Sequence, residues 1–126
     1  MAYNIDTIHD YGNLPFVEDN TLADARGKFV VVGTDGVVTV AAEGTKADGN
    51  LRNNPKVPEV PAVTIGGFPY VLASEDLVVS DLVAVGADGG AKVATTGDAV
   101  MGKVLDGALA GEFARITMQD GDLTAS

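Results

Sequence analysis

Cysteine and tryptophan are absent from this chain of 126 residues, and histidine occurs once. Without cysteine there is no disulfide, no thiol nucleophile and no thiolate metal site. The lone His9 has no second histidine with which to share a metal, and acid–base catalysis requires a fixed, buried geometry that one imidazole does not supply. Serine occurs only as Ser74, Ser80 and Ser126, none inside a Gly-x-Ser-x-Gly turn, so a Ser-His-Asp triad has no support. Cations are scarce as well. Eight Lys and Arg face eighteen Asp and Glu, a formal charge of −10, whereas gripping phosphates takes clustered Lys and Arg. No apolar run reaches the ~18 residues that a membrane-spanning helix needs. The opening Met-Ala-Tyr-Asn-Ile-Asp lacks the basic and apolar regions of a secretory signal. These absences predict a non-enzymatic, soluble protein without cofactor or metal, with no nucleic-acid or membrane partner, used where it is made.

What the chain has instead is glycine, 16 residues of it, and a repeat. At an offset of 53, Val30, Val32, Gly33, Asp35, Gly36, Val40, Ala41, Gly44 and Gly49 meet identical residues, Val83 through Gly102. Each copy reads as an apolar strand, an Asp-Gly turn and a second strand, because Asp-Gly accepts the backbone angles of a tight hairpin turn. The repeat hairpins span 29–49 and 82–102 within a β-domain over 21–118.

Other segments follow from composition. Residues 1–20 form an expected N-terminal arm that carries no Lys or Arg but concentrates Tyr3, Ile5, Ile8, Tyr11, Leu14 and Phe16. So short an apolar segment, broken by Gly12 and Pro15, has no core of its own and must dock on something. These six residues are the candidate partner contacts. Residues 50–61 hold Pro55, Pro58 and Pro61, which predicts an extended surface loop rather than a central strand. Short strands are expected over 62–65 and 68–73, then around 100–104. Phe113 to Met118 alternates with period two and closes the domain. Residues 119–126 are expected to fray as a C-terminal tail. Seven or eight short strands with frequent turns indicate an all-β fold, a small Gly-rich barrel or sandwich, with a β-tulip arrangement also satisfying the pattern.

Three partial motifs fail on chemistry. Gly97-Asp-Ala-Val-Met-Gly-Lys-Val104 has the glycine and lysine spacing of a phosphate loop, but Val104 stands where a Mg²⁺-binding hydroxyl is required. The acidic turns at Asp35, Asp88 and Asp120 lack the ligand spacing of a calcium loop. Glu43-Gly-Thr-Lys46-Ala47 resembles the lysine hairpin of lipoyl carrier domains, with Thr45 in place of the usual acid; it implies a carrier modified at Lys46 as a minor alternative.

The stretch Leu77–Val79 through Ser80-Asp-Leu-Val83, Met101-Gly-Lys-Val104, Ala110-Gly-Glu112 and the closing Phe113–Met118 strand resembles the C-terminal half of small tailed-phage capsid decoration (cement) proteins. The resemblance runs from Glu75 to Gly121. It implies a protein of the virion exterior, made in the host cytoplasm, that binds the major capsid protein, often as a homotrimer, and braces the shell against internal pressure. A tail or fibre component of the virion is the alternative that keeps the same fold.

Overall fold

A computed structural model describes residues 25–33, 37–53, 63–119 and 123–125. Their regular structure is all β. The strands are β1 (Phe29–Val32), β2 (Val38–Val40), β3 (Gly49–Leu51), β4 (Val63–Thr64), β5 (Tyr70–Leu72), β6 (Leu82–Val85), β7 (Ala91–Val93), β8 (Gly102–Asp106) and β9 (Phe113–Met118). They form two antiparallel sheets in a sandwich-like arrangement, ordered β2-β1-β3-β4 and β5-β9-β8-β6-β7, and the edges of the second meet in a parallel bridge between Ala73 and Ala91.

The sequence repeat is a repeat of pairing. Val30 opposes Val40 and Val83 opposes Val93; Val30 opposes Gly49 and Val83 opposes Gly102; Leu51 opposes Val63 and Val104 opposes Ile116. Every one of these pairs recurs 53 residues on. The connection before each first strand repeats too. Gly27 N–H donates to Leu51 O and Ser80 N–H to Val104 O, at 2.7 and 2.9 Å. Both residues hold the same left-handed backbone, φ +86° and +78°. Ser80 is the one non-glycine described residue that does so.

Two glycines are dictated by close approach. A Cβ on Gly49 would lie 2.7 Å from the carbonyl oxygen of Thr64, and one on Gly102 would collide with that of Thr117. At this point the neighbouring strand crosses directly over the position, so only hydrogen fits.

The sheets share one core. Phe29, Ala41 and Ala47 from the first repeat pack with Val71, Val83, Val85, Val104 and Ile116 of the second. Val30, Val38, Leu51, Val63 and Ala25 form a smaller cluster on the first sheet's other face. Phe29 is fully buried, and its N–H donates across to Gly89 O at 2.7 Å. Burying such a ring contributes on the order of 1.5–3 kcal/mol.

The structure departs from the sequence reading in four places. Asn50 and Leu51 belong to β3 rather than to the Pro-rich loop. Asn50 is fully buried, with its side-chain NH₂ donating to Gly27 O at 2.8 Å while its Oδ1 meets no hydrogen-bond donor among the described residues. The expected tight Asp-Gly turn is a three-residue loop, 87–89, closed by Gly86 N–H to Gly90 O at 2.7 Å, with only Gly89 left-handed. The Asp88 carboxylate holds this loop by accepting from Gly90 N–H and from the Ser74 hydroxyl. Residues 123–125 do not fray: Ala125 N–H donates to Asp98 O and Val100 N–H to Leu123 O, at 2.9 and 2.8 Å, closing a strip of sheet along 97–100. Among the described residues nine strands stand where seven or eight were expected, since three-residue strands such as β3 carry too short a pattern to read. The arm (1–20) and most of the Pro-rich loop lie outside the described residues.

Gly49→Ala and Gly102→Ala should each destabilise the fold by about 1–3 kcal/mol through overpacking. Gly66, whose Cβ position is open, should accept alanine within about 0.5 kcal/mol. Chemical denaturation of the three variants checks this.

Candidate interaction surface

Two exposed apolar regions stand out on an otherwise acidic molecule. The first lies at the start of β5 and along β9, where Phe68 and Tyr70 are more than half exposed and Phe113 is 44% exposed. Arginines cover these rings. The Arg115 guanidinium sits 5.1 Å from the Tyr70 ring centre and that of Arg26 sits 5.4 Å from Phe113. Arg115 Nε–H also donates to Phe68 O at 3.2 Å. The pairing is local: Tyr70 and Arg115 are directly opposite in the ladder, as are Leu72 and Phe113. A cleft of about 350 Å³ between Arg26, Arg52, Thr64 and the three rings completes the region.

The second is purely aliphatic. Val78, Val79 and Leu109 are each more than 60% exposed and line one shallow depression, and Leu105 on β8 is exposed as well. Three carboxylates hold the backbone that presents them. Asp81 accepts from Val78 N–H at 3.0 Å, Asp76 from Ala110 N–H at 2.9 Å and Glu112 from Leu109 N–H at 3.2 Å. The apolar side chains are therefore displayed on a fixed scaffold with an acidic surround, the anatomy of a protein-binding patch with a polar rim. The repeat makes the contrast plain. Position 25, the counterpart of Val78, is a buried Ala, while the counterparts of Val79, Leu105 and Leu109 are Arg26, Arg52 and Lys56. Only the second copy is apolar and exposed here. The contrast of Val79 with Arg26 and of Leu109 with Lys56 is the partial mark that this patch leaves in the sequence.

A charged cluster joins the sheets on another side. Lys92 on β7 lies 3.0 Å from Glu43 and 3.1 Å from Asp98. The Glu43 hydrogen bond, and then that of Asp98, raises the Lys92 pKa above its ordinary 10.5. The Thr95 backbone N–H and hydroxyl, followed by Lys92, hold Asp98 below its usual 3.8. The Ser74 hydroxyl lowers Asp88 in the same direction, ahead of the opposing effect of burial.

The sequence-derived contacts Tyr3, Ile5, Ile8, Tyr11, Leu14 and Phe16, together with His9, lie outside the described residues. Lys46 is exposed on the β2–β3 connection. Those strands are separated by β1, so the lysine is not at the tip of a hairpin as in a carrier domain. The near-miss phosphate loop runs through buried Val100 and Met101 into β8, with no helix following it. Among the described residues, no group of three or more His, Cys, Asp or Glu is placed to hold a metal ion.

No protein-family model and no curated protein matches the chain. Among solved structures, it is similar to the N base of the head fibre protein gp8.5 of bacteriophage phi29. The match has a TM-score of 0.62 over 78% of this chain and 87% of that one, at 20% identity. The likeness is one of fold, the all-β two-sheet architecture described above.

The lowered Asp88 and Asp98 contribute stability that is complete above the ordinary carboxylate value of 3.8 and lost as pH falls below it. The raised Lys92 contributes stability that is lost only as pH climbs above 10.5. Thermal melts against pH should be flat through neutrality and fall at both extremes. Asp98→Asn should lower the neutral plateau and shrink the acid-side fall.

Proposed function

We propose that this chain is a non-enzymatic structural module of a phage virion, seated on the outside of the head. The observation that carries the reading is the shared fold with the base of a phage head fibre. A base must hold a particle surface with one side and present something with another, and the molecule has the means. Its aliphatic patch at Val78, Val79 and Leu109 is fixed by three carboxylates, and its net charge of −10 discourages non-specific association elsewhere. The reading includes the major capsid protein as partner, a homotrimer as the working state, and synthesis in the host cytoplasm before assembly. Symmetric oligomers multiply modest contacts, since each engages several shell subunits at once.

A narrower second reading, a decoration protein that braces the shell against internal pressure, is favoured by the resemblance over Glu75–Gly121. It differs in consequence: a brace raises the threshold at which heads rupture, and a fibre base need not.

In density gradients with expanded heads stripped of accessory proteins, the purified chain should co-sediment saturably and in fixed ratio to the major capsid protein. Val78→Asp with Leu109→Asp should reduce that binding at least about tenfold, the loss of a central apolar contact, with an unchanged melting temperature. No co-sedimentation at micromolar protein would overturn the reading. Saturated heads that rupture at a higher temperature than bare ones would select the decoration role.

A further inference from the structure

The two sheets differ at one edge. In the second, β5 pairs with the outer side of β9; in the first, no described strand lies beside the matching strand β4. The β5 sequence has a second copy in the chain. Gly12-Asn-Leu-Pro-Phe-Val17 parallels Gly66-Gly-Phe-Pro-Tyr-Val71, with Gly, Pro and Val identical and Leu/Phe and Phe/Tyr alike in character. The linker from Val17 to Phe29 is one residue longer than that from Val71 to Leu82. Both linkers end in the same hydrogen-bonded, left-handed turn, at Gly27 and Ser80.

We propose that the outer edge of β4 is the docking site of residues 12–17 of the same chain, which complete the first sheet as its fifth strand. This goes beyond the virion role and does not rest on it. The second sheet supplies the register. Ile116 N–H donates to Pro69 O at 3.2 Å and Met118 N–H to Gly67 O at 2.9 Å. The corresponding bonds run from Val63 N–H to Pro15 O and from Ile65 N–H to Asn13 O. Proline suits this place because Pro69 serves there only as an acceptor, as Pro15 would. In the repeat Pro61 aligns with Ala114, and proline has no N–H to give, so no further bond is expected from that residue. Val17 takes the position of Val71, which is fully buried, and joins the small cluster of Leu51 and Val63. Phe16 takes that of Tyr70, on the Thr64 side of the sheet, where the cleft between Arg52, Phe68 and Phe113 lies. Leu14 and Phe16 thereby become part of the domain, and Tyr3, Ile5, Ile8 and Tyr11 are the arm residues left to reach a partner.

The absence of native cysteine makes the test clean. Leu14→Cys with Thr64→Cys recreates the Phe68–Thr117 pair, a non-hydrogen-bonded position whose Cα separation of about 4.5 Å accepts a disulfide. Mild oxidation of the full chain should give a disulfide-bonded monomer, mapped by peptide mass. Pro15→Cys with Thr64→Cys, one residue out of register, should stay reduced. Failure of the first pair to close, or its closure as a linked dimer, would overturn same-chain docking. In melts, Val17→Asp should lower the Tm by at least about 4 °C, while deletion of residues 2–11 leaves it unchanged. A Val17→Asp chain as stable as its parent would also overturn it.

Discussion

Phe29 holds the two halves of this molecule together. The four described strands of the first repeat, of two to four residues each, carry buried apolar side chains on both faces, and one of those faces needs a cover. The solution is to place Phe29, with Ala41 and Ala47, into the core that the second repeat builds from Val71, Val83, Val85, Val104 and Ile116. Backbone bonds follow the ring across the junction: Phe29 N–H to Gly89 O, Gly44 N–H to Val85 O and Leu72 N–H to Gly27 O. The Lys92–Glu43 pair closes the same junction at the surface. The repeats are therefore alike in pairing but unequal in role, one supplying the core and the other inserting into it.

That inequality explains where the exposed apolar surface lies. Around Ala25 the first repeat is small and buried, with Arg26 turned over Phe113 of its neighbour. The matching face of the second repeat has no neighbour within the described residues and carries Val78, Val79 and Leu105 instead. This surface follows the same backbone plan, is apolar where its copy carries Arg26, and is held by Asp76, Asp81 and Glu112.

Much of the fold is legible in the sequence because a glycine forced by close approach leaves the same mark in both copies. Gly49 and Gly102 align because Thr64 and Thr117 cross them identically, and Phe113–Met118 alternates over enough residues to be read as a strand. Asn50 is the contrary case. Its burial depends on a carbonyl 23 residues away at Gly27, and no local pattern carries that information. The contact surface was only partly readable for a similar reason. Val78, Val79 and Leu109 look like core residues in a strand pattern, and only the tertiary arrangement leaves them uncovered. The six apolar residues of segment 1–20 lie outside the described part of the chain.

We propose this chain as a structural part of a phage particle, attached to the outside of its head. Cryo-electron microscopy of purified particles, assembled with the chain intact and with it deleted, tests this most directly. The account predicts density on the outer shell that fits the two-sheet module and disappears on deletion. Identical particles in the two preparations, with the chain missing from both by mass spectrometry, would contradict it.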